Sequence, residues 1–185
     1  MSKVLAIDTS TSRTSVAIID GDTVVFSGFR DGATAHGPSL PALVQEALAV
    51  SEVDEVVVGM GPGPFTGLRV GIAFAQSFAL GMNVKWHGVC SLDAIAIDQS
   101  EYTVAIDARR KEIYWAQYKE GKRVNGPHVN LPTEVSGTHF VGEGAHKYGL
   151  CADSTYPEVS RFHLLSHVDQ PMYLRRPDAV PTVER

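Results

Sequence analysis

The strongest constraint on the fold is a short pattern that occurs twice. Leu5-Ala6-Ile7-Asp8 lies near the start of the chain, and Val104-Ala105-Ile106-Asp107 repeats it in the second half. Each copy is followed by a short turn and an apolar, strand-like run, which ends in an acidic residue and a glycine at Asp20-Gly21 and at Glu120-Gly121. A third strand-like run follows each of these turns. The matched order of elements predicts an internal duplication of a three-stranded unit.

Two halves of this kind, each with an aspartate at the end of its first strand, resemble the actin, hexokinase and Hsp70 superfamily. We therefore predict an α/β chain with the duplicated actin-like (ASKHA, ribonuclease H-like) fold, in which mixed sheets pack against helices. Residues 1–99 are expected to form the first subdomain, and residues 100–185 a second, shortened subdomain with a C-terminal tail. In this superfamily the two aspartate-bearing turns face each other across a cleft that holds nucleotide phosphates. That expectation is an analogy of fold and establishes no activity.

Charge and cysteine content narrow the class of protein. The chain has a formal net charge of −5 and no block of lysines or arginines, so a stand-alone nucleic-acid binder is disfavoured. The two cysteines, Cys90 and Cys151, have no metal-type or disulfide-framework spacing, which is typical of a reducing cytoplasm. The start, Met1-Ser2-Lys3, leads straight into a strand-like run, so we expect a cytoplasmic protein with no signal peptide and no membrane span.

A turn rich in glycine and proline, Gly61–Gly67, separates a predicted strand, Glu55–Gly59, from the apolar segment Leu68–Leu80. Such a turn brings the backbone close to something, and the helix that follows has free N–H groups that could hold an anion. However, the Walker pattern fails because Arg69 follows Gly67-Leu68 and there is no lysine. Prolines also lack the N–H that a phosphate needs. A structural brace is therefore favoured over an anion site.

Two predicted helices follow the first meander. The segment Pro38–Val50 has an apolar stripe, whereas the second helix is apolar around its whole circumference and has small residues at every fourth position. A helix of the second kind is buried on more than one side. Either it is wedged against its own sheet or one face is covered by a second protein chain, and both interpretations stay open.

Three further groups of residues are candidate sites. Asp8-Thr9-Ser10-Thr11 could meet phosphates and Mg²⁺, or its hydroxyls could satisfy local backbone groups. Asp107 is its counterpart, and the three cations that follow it could attract a phosphate, dock an acidic partner or be solvated. His163 and His167 have the i, i+4 spacing of one helix face, but no third ligand is near, so we expect no metal. No nucleophile motif is visible, and no cofactor is expected.

Six motifs, in order along nearly the whole chain, resemble the bacterial TsaB (YeaZ) family of tRNA threonylcarbamoyladenosine biosynthesis proteins. They are LAIDTSTSRTSVAI at 5–18, His36 with Leu40-Pro41, GPGPFTGLRVGI at 61–72, GVCSLDAIA at 88–96, AIDARRKEIYWAQY at 105–118 and PMYLR at 171–175. The family has the duplicated actin-like fold. This chain departs from it in two ways. It lacks an alanine- and leucine-rich helix before PMYLR, and Pro64 stands where many relatives have serine.

The resemblance implies a non-catalytic scaffold or activator subunit. Its partner would be TsaD, which carries the metal and transfers the threonylcarbamoyl group to adenosine 37 of tRNA, and the ATPase TsaE would join them. Contact with tRNA would be indirect, through the complex. Without TsaD, the chain would form a homodimer through the surface that otherwise binds TsaD. The expected partner interface comprises His36, Leu40, Leu43, Ala47, Gly67, Arg69, Val70, Gly71, Phe74 and Phe78.

Two other functions stay open. Asp8, Thr9, Ser10, Thr11 and Asp107 would form a residual phosphate or nucleotide turn if the chain were a small ATP-dependent phosphotransferase of the actin-like superfamily. A peptidase is the third possibility, because relatives have been placed in a glycoprotease-like family, but neither a nucleophile nor a set of metal ligands is visible.

Overall fold

The computed structural model of the chain describes residues 2–175, which form two mixed β-sheets. The first sheet has six strands in the order β10-β5-β4-β1-β2-β3. β1, β2 and β3 form an antiparallel meander, β4 and β5 run parallel to β1, and β10 pairs antiparallel with β5. The strands are β1 (Lys3–Asp8), β2 (Arg13–Asp20), β3 (Thr23–Asp31), β4 (Glu55–Gly59), β5 (Lys85–Val89) and β10 (His167–Val168).

The second sheet repeats the start of the first. β6, β7 and β8 form another antiparallel meander, and β9 lies parallel to β6 as β4 lies parallel to β1. Its order is β8-β7-β6-β9. The strands are β6 (Glu101–Asp107), β7 (Ile113–Lys119), β8 (Lys122–Asn130) and β9 (Phe140–Val141). The predicted duplication is confirmed by this matched topology.

Helices cover one face of the first sheet. α1 (His36–Leu48) and α2 (Phe65–Met82) bury apolar side chains against strands β1, β2 and β4, and this contact forms the largest hydrophobic core. α2 begins directly after Pro64, and it ends where Asn83 adopts the left-handed conformation with φ 54°. In the described part of the chain, no helix is long and apolar enough to cross a lipid bilayer.

The second half has little helix, as predicted. α3 (Glu143–Lys147) is a single short helix that follows β9, and the next helical segment, Val159–Leu164, is a 3₁₀ helix. That 3₁₀ helix lies on the opposite face of the first sheet, where Phe162 is fully buried. Residues 159–168 therefore pack on the first sheet although they belong to the second half in sequence. The boundary at residues 99/100 stays a prediction, and the last ten residues of the predicted C-terminal tail lie outside the described range.

Two local features were not evident from the sequence. Ser91 begins a short 3₁₀ helix, Ser91–Ala94, and its hydroxyl donates to Asp8. His163 and His167 do not share a helix face, since His163 lies in the 3₁₀ helix and His167 lies in β10.

Candidate functional site

The turn after β1 is filled by the chain's own backbone. Asp8, Thr9, Ser10 and Thr11 are all at most 1% exposed. A Cβ on Gly67 would lie 2.7 Å from the carbonyl oxygen of Thr9, which is closer than real Cβ contacts. Thr9 Oγ1 also donates to the carbonyl oxygen of Gly67 at 2.8 Å. Glycine at this position of α2 therefore permits close approach of the helix to the turn after β1.

Asp8 is the buried polar centre of this turn. Its Oδ1 accepts hydrogen bonds from the N–H of Ser10 at 2.9 Å and from Ser10 Oγ at 2.7 Å. Its Oδ2 accepts from Ser91 Oγ at 2.6 Å. Burial raises the pKa of Asp8, and the hydrogen bonds from Ser91 and Ser10 oppose that rise. Both carboxylate oxygens are thus occupied by hydroxyl and amide groups of the chain.

A carboxylate of the second half contacts the end of the same turn. Glu143, the first residue of α3, accepts from the N–H of Ser12 at 3.1 Å with each of its oxygens, and Ser12 Oγ donates to Glu143 Oε2 in a short hydrogen bond. Burial is the main cause that raises the pKa of Glu143. This contact joins the two halves, and it occupies the donors that an anion at the turn would use.

The sequence prediction missed Glu143. A signal was present, because Val58-Gly59-Met60-Gly61 at the end of β4 recurs as Val141-Gly142-Glu143-Gly144 at the end of β9. As in the first half, the glycines allow close packing: a Cβ on Gly144 would clash with the backbone between Ile106 and Asp107. The duplicated unit therefore includes the glycine turn after the parallel strand.

Asp107 is also satisfied internally. It is 5% exposed, and its Oδ2 accepts from Arg109 Nη1 at 3.1 Å and from Lys147 Nζ at 2.8 Å. The hydrogen bond to Asp107 is the main cause that raises the pKa of Lys147. The three residues after Ala108 all have a left-handed backbone, with φ of 62° at Arg109, 52° at Arg110 and 66° at Lys111, and their side chains are exposed.

Six of the ten predicted interface residues are buried, and their role at a partner interface stays a prediction. They pack against the protein's own sheet and first turn, so most of their surface is already covered by the chain itself. His36, for example, is 5% exposed and bonds Thr14 Oγ1 through Nδ1 at 2.8 Å. Burial is the main cause that lowers its pKa. The six are His36, Leu40, Leu43, Ala47, Gly67 and Gly71.

The other four, Arg69, Val70, Phe74 and Phe78, are exposed or half-buried on one side of α2. Three residues that the sequence prediction omitted belong to the same surface: Phe65, Ala73 and Leu80, the last of which is 84% exposed. These seven residues are here called the outer α2 face. Arg69 is the one charged residue in the 18 residues of α2, so this surface lacks the charged stripe that a solvated helix normally has.

The N-terminal end of the outer α2 face is concave. Phe65, Thr66, Arg69, Val70 and Ala73 line a depression of about 380 Å³. The Arg69 guanidinium lies 5.1 Å from the centre of the Phe65 ring, and the ring of Tyr173 packs on Phe65 with centroids 5.0 Å apart. The PMYLR segment therefore supports one end of this surface. Among the described residues, no group of three histidine, cysteine, aspartate or glutamate side chains is placed to hold a metal ion.

Comparison with known proteins agrees with this architecture. Residues 31–166 match the family model described as TsaD, tRNA N6-adenosine threonylcarbamoyltransferase. An uncharacterized protein of Mycobacterium bovis is 38% identical over 201 residues, which cover 98% of this chain and 95% of that protein. The tRNA threonylcarbamoyladenosine biosynthesis protein TsaB of Escherichia coli is 36% identical over 128 residues, which cover 63% of this chain and 55% of TsaB.

The fold of the chain is also similar to that of a solved structure. A Pseudomonas aeruginosa protein described as similar to the peptidase YeaZ superposes with a TM-score of 0.79 at 25% identity, over 95% of this chain and all of that one. The match to E. coli TsaB spans just over half of that protein's length. The resemblance seen in the six motifs and the duplicated actin-like fold are both confirmed. The chain belongs to the TsaB/YeaZ family.

Proposed function

We propose that this chain is a non-catalytic subunit of the machinery that installs threonylcarbamoyl on adenosine 37 of tRNA. It binds a TsaD-type partner through the outer α2 face, a TsaE-type ATPase joins the complex, and tRNA is the substrate of the whole assembly. Similarity to TsaB, whose name assigns it to tRNA threonylcarbamoyladenosine biosynthesis, supports the pathway. The match to the TsaD family model supports a partner of similar shape.

The observation that carries the proposal is the apolar character of the outer α2 face. Leu80 is 84% exposed and Phe65 is 41% exposed, while Phe74 and Phe78 stack on each other with centroids 5.9 Å apart at the half-buried edge. Exposed polar residues, Thr66, Gln76 and Ser77, lie among these apolar side chains, but α2 has no acidic residue and a single cation. Large apolar side chains that cluster on an exposed helix surface often mark a binding site. Aromatic side chains such as these three phenylalanines are enriched in protein interfaces.

The mode of action follows from the type of contact. A partner with two equivalent helices would pack them against α1 and α2, as ridges into grooves, and bury the apolar surface of both proteins. Binding of this kind activates the partner only if the contact stabilises its competent conformation more than its other conformations. A second copy of this chain presents the same surface, so a symmetric homodimer would form when the partner is absent.

The first turn supports a non-catalytic role. Both oxygens of Asp8 accept hydrogen bonds from Ser10 and Ser91, and the backbone of α2 packs against Thr9. An ATP-dependent phosphotransferase needs this turn open to phosphates and a divalent cation.

The peptidase alternative has one candidate pair of residues, Thr14 and His36, in which a hydroxyl lies within hydrogen-bond distance of a base. Thr14 is fully buried, so a peptide substrate has no route to it.

Reconstitution of the modification reaction tests the proposal. We expect threonylcarbamoyladenosine, measured by mass spectrometry of digested tRNA, to form with the chain, TsaD and TsaE from the same organism and to be lost when the chain is omitted. Leu80→Glu should reduce the product to near the level without the chain, because the charge would be desolvated in the interface. Leu80 is 84% exposed, so its replacement leaves the core intact.

Val124→Glu is the matched control. Val124 is an exposed apolar residue on β8, an edge strand of the second sheet, whereas α2 packs on the first, and 63% of the Val124 surface is accessible. It should support the same yield as wild type. Full product without the chain would refute a role in the reaction, and equal yields for Leu80→Glu and Val124→Glu would refute the outer α2 face as the contact surface.

A further inference from the structure

The loop between β6 and β7 has a costly backbone. Arg109, Arg110 and Lys111 all have φ between 52° and 66°, a region that side chains with a Cβ rarely occupy. Two hydrogen bonds brace the loop: Glu112 N–H donates to the carbonyl oxygen of Arg109 at 2.9 Å, and Ala108 N–H donates to that of Glu112 at 3.0 Å. Consecutive left-handed residues persist only where the surroundings hold them, and such positions cluster at binding sites.

The same loop concentrates positive charge on an otherwise acidic chain. Lys147 joins it through Asp107, with Nζ 2.8 Å from Oδ2, and Arg175 joins it through its contact with the carbonyl oxygen of Arg109 at 3.5 Å. We call this group the basic patch. Of the described residues it contains five cations: Arg109, Arg110, Lys111, Lys147 and Arg175. Arg109 and Lys147 pair with Asp107, and Arg175 pairs with Glu112. With Glu143 nearby, five positive charges stand against three negative ones. The chain as a whole has a net charge of −5.

We propose that the basic patch binds the phosphate backbone of RNA. The left-handed loop carries three successive cations with exposed side chains, of which Arg109 also pairs with Asp107. Lysine and arginine side chains are the groups that neutralise phosphates in protein–nucleic acid contacts. This inference rests on the proposed function for the identity of the RNA, which would be the tRNA substrate. It changes the role of the chain, because the chain would then contact the tRNA directly in addition to binding the partner.

Two observations favour RNA over an acidic protein. The loop exposes no apolar side chain, since Ala108 is 2% exposed and the three residues after it are charged, whereas a protein interface has an apolar centre. The basic patch also adjoins the outer α2 face, because Arg109 lines a depression of about 520 Å³ together with Phe65 and Thr66. An RNA held by a partner on α2 would therefore pass beside the cations.

Binding of an unmodified tRNA transcript to the full chain tests the proposal. The double variant Arg110→Gln/Lys111→Gln removes two exposed charges, and Lys85→Gln/Lys122→Gln removes two exposed charges elsewhere. We expect fluorescence anisotropy at low salt to show binding by wild type and by the Lys85/Lys122 control. The loop variant should lose about fivefold in affinity per charge at about 0.15 M salt, and its slope of log K against log salt should fall by about one per charge.

A second variant separates binding from structure. Arg110→Gly/Lys111→Gly relieves the left-handed backbone, so we expect the Tm to rise by about 2 °C or more while the affinity for tRNA falls as in the glutamine variant. A loop with only a structural role would give no change in tRNA affinity. Both loop variants should co-purify with the TsaD-type partner as wild type does, because the outer α2 face is unchanged.

Three results would overturn the inference: no binding of tRNA to wild type at low salt, equal salt slopes for the loop variant and the control, or loss of partner association in the loop variants. The last result would make the loop a protein contact. Failure of the proposed function is a different outcome, seen when omission of the chain leaves the modification reaction unchanged.

Discussion

Replacement of Gly67 by alanine tests the close packing between α2 and the first turn. The new Cβ would lie 2.7 Å from the carbonyl oxygen of Thr9 and 3.3 Å from Nε2 of His36, whereas ordinary contact begins at 3.4 Å. The nearer atom belongs to the backbone, and Thr9 is 1% exposed, so neither partner can move aside as a flexible side chain would. The helix must therefore shift outward.

The expected cost follows from these contacts. Overpacking in a core costs about 1–3 kcal/mol, and lengthening the hydrogen bond from Thr9 Oγ1 to the carbonyl oxygen of Gly67 adds about 1 kcal/mol. The better helix propensity of alanine offsets up to about 1 kcal/mol. The net change in the free energy of unfolding for Gly67→Ala is then a loss of about 1–4 kcal/mol.

Gly81→Ala in the same helix is the matched control. A Cβ there would meet nothing within 4 Å, so only the helix propensity changes, and the free energy of unfolding should rise by about 0.5–1 kcal/mol. Urea unfolding followed by circular dichroism measures both variants. If Gly67→Ala is as stable as wild type, or as stabilising as Gly81→Ala, the tight contact between α2 and the first turn is not a feature of the folded protein.

Two further predictions concern buried titratable groups. Burial raises the folded-state pKa of Glu143 above its ordinary value of 4.5, so the folded protein binds a proton more readily than the unfolded chain. The free energy of unfolding of wild type, measured in urea, should therefore rise relative to that of Glu143→Gln as the pH falls from 7 towards 4.5. If the free energies of the two proteins change in parallel across this range, the assignment is contradicted. Burial raises the pKa of Cys90 to about 12, so brief alkylation of the native protein should modify the partly exposed Cys151 and spare Cys90. Mass spectrometry measures the extent of modification at each thiol. Equal rates at the two thiols would show that Cys90 is accessible.

The sequence predicted those features that depend on local pattern. The two meanders follow from strand-like runs and acidic-glycine turns, and α2 follows from the long apolar segment Leu68–Leu80, which lies within the observed helix. The predicted bounds differ from the structure by a few residues, because α1 begins at His36 and α2 at Phe65. Pro64 and Asn83, which stand at the observed ends of α2, are residue types typical of helix ends, and the prediction did not use them.

Contacts between residues that are distant in the sequence could not be predicted from local sequence patterns. Glu143 and Ser12 are 131 residues apart in sequence, so their hydrogen bonds depend on how the two halves pack. Helical periodicity could not separate the two sides of α2, because both sides are apolar and only burial assigns Gly71 to the inside and Leu80 to the outside. The left-handed loop at Arg109 was also unpredictable, since it contains no glycine or asparagine to indicate that backbone.

The most direct test of the central claim is the dissociation constant between this chain and its TsaD-type partner, measured by isothermal titration calorimetry. Ala73→Glu and Leu80→Glu place a charge on exposed positions of the outer α2 face, and Val124→Glu places one on β8. We predict that each α2 variant binds about 30-fold or more weakly, equivalent to about 2 kcal/mol, while Val124→Glu binds as wild type. Equal dissociation constants for all four proteins would contradict the assignment of the outer α2 face as the partner-binding surface.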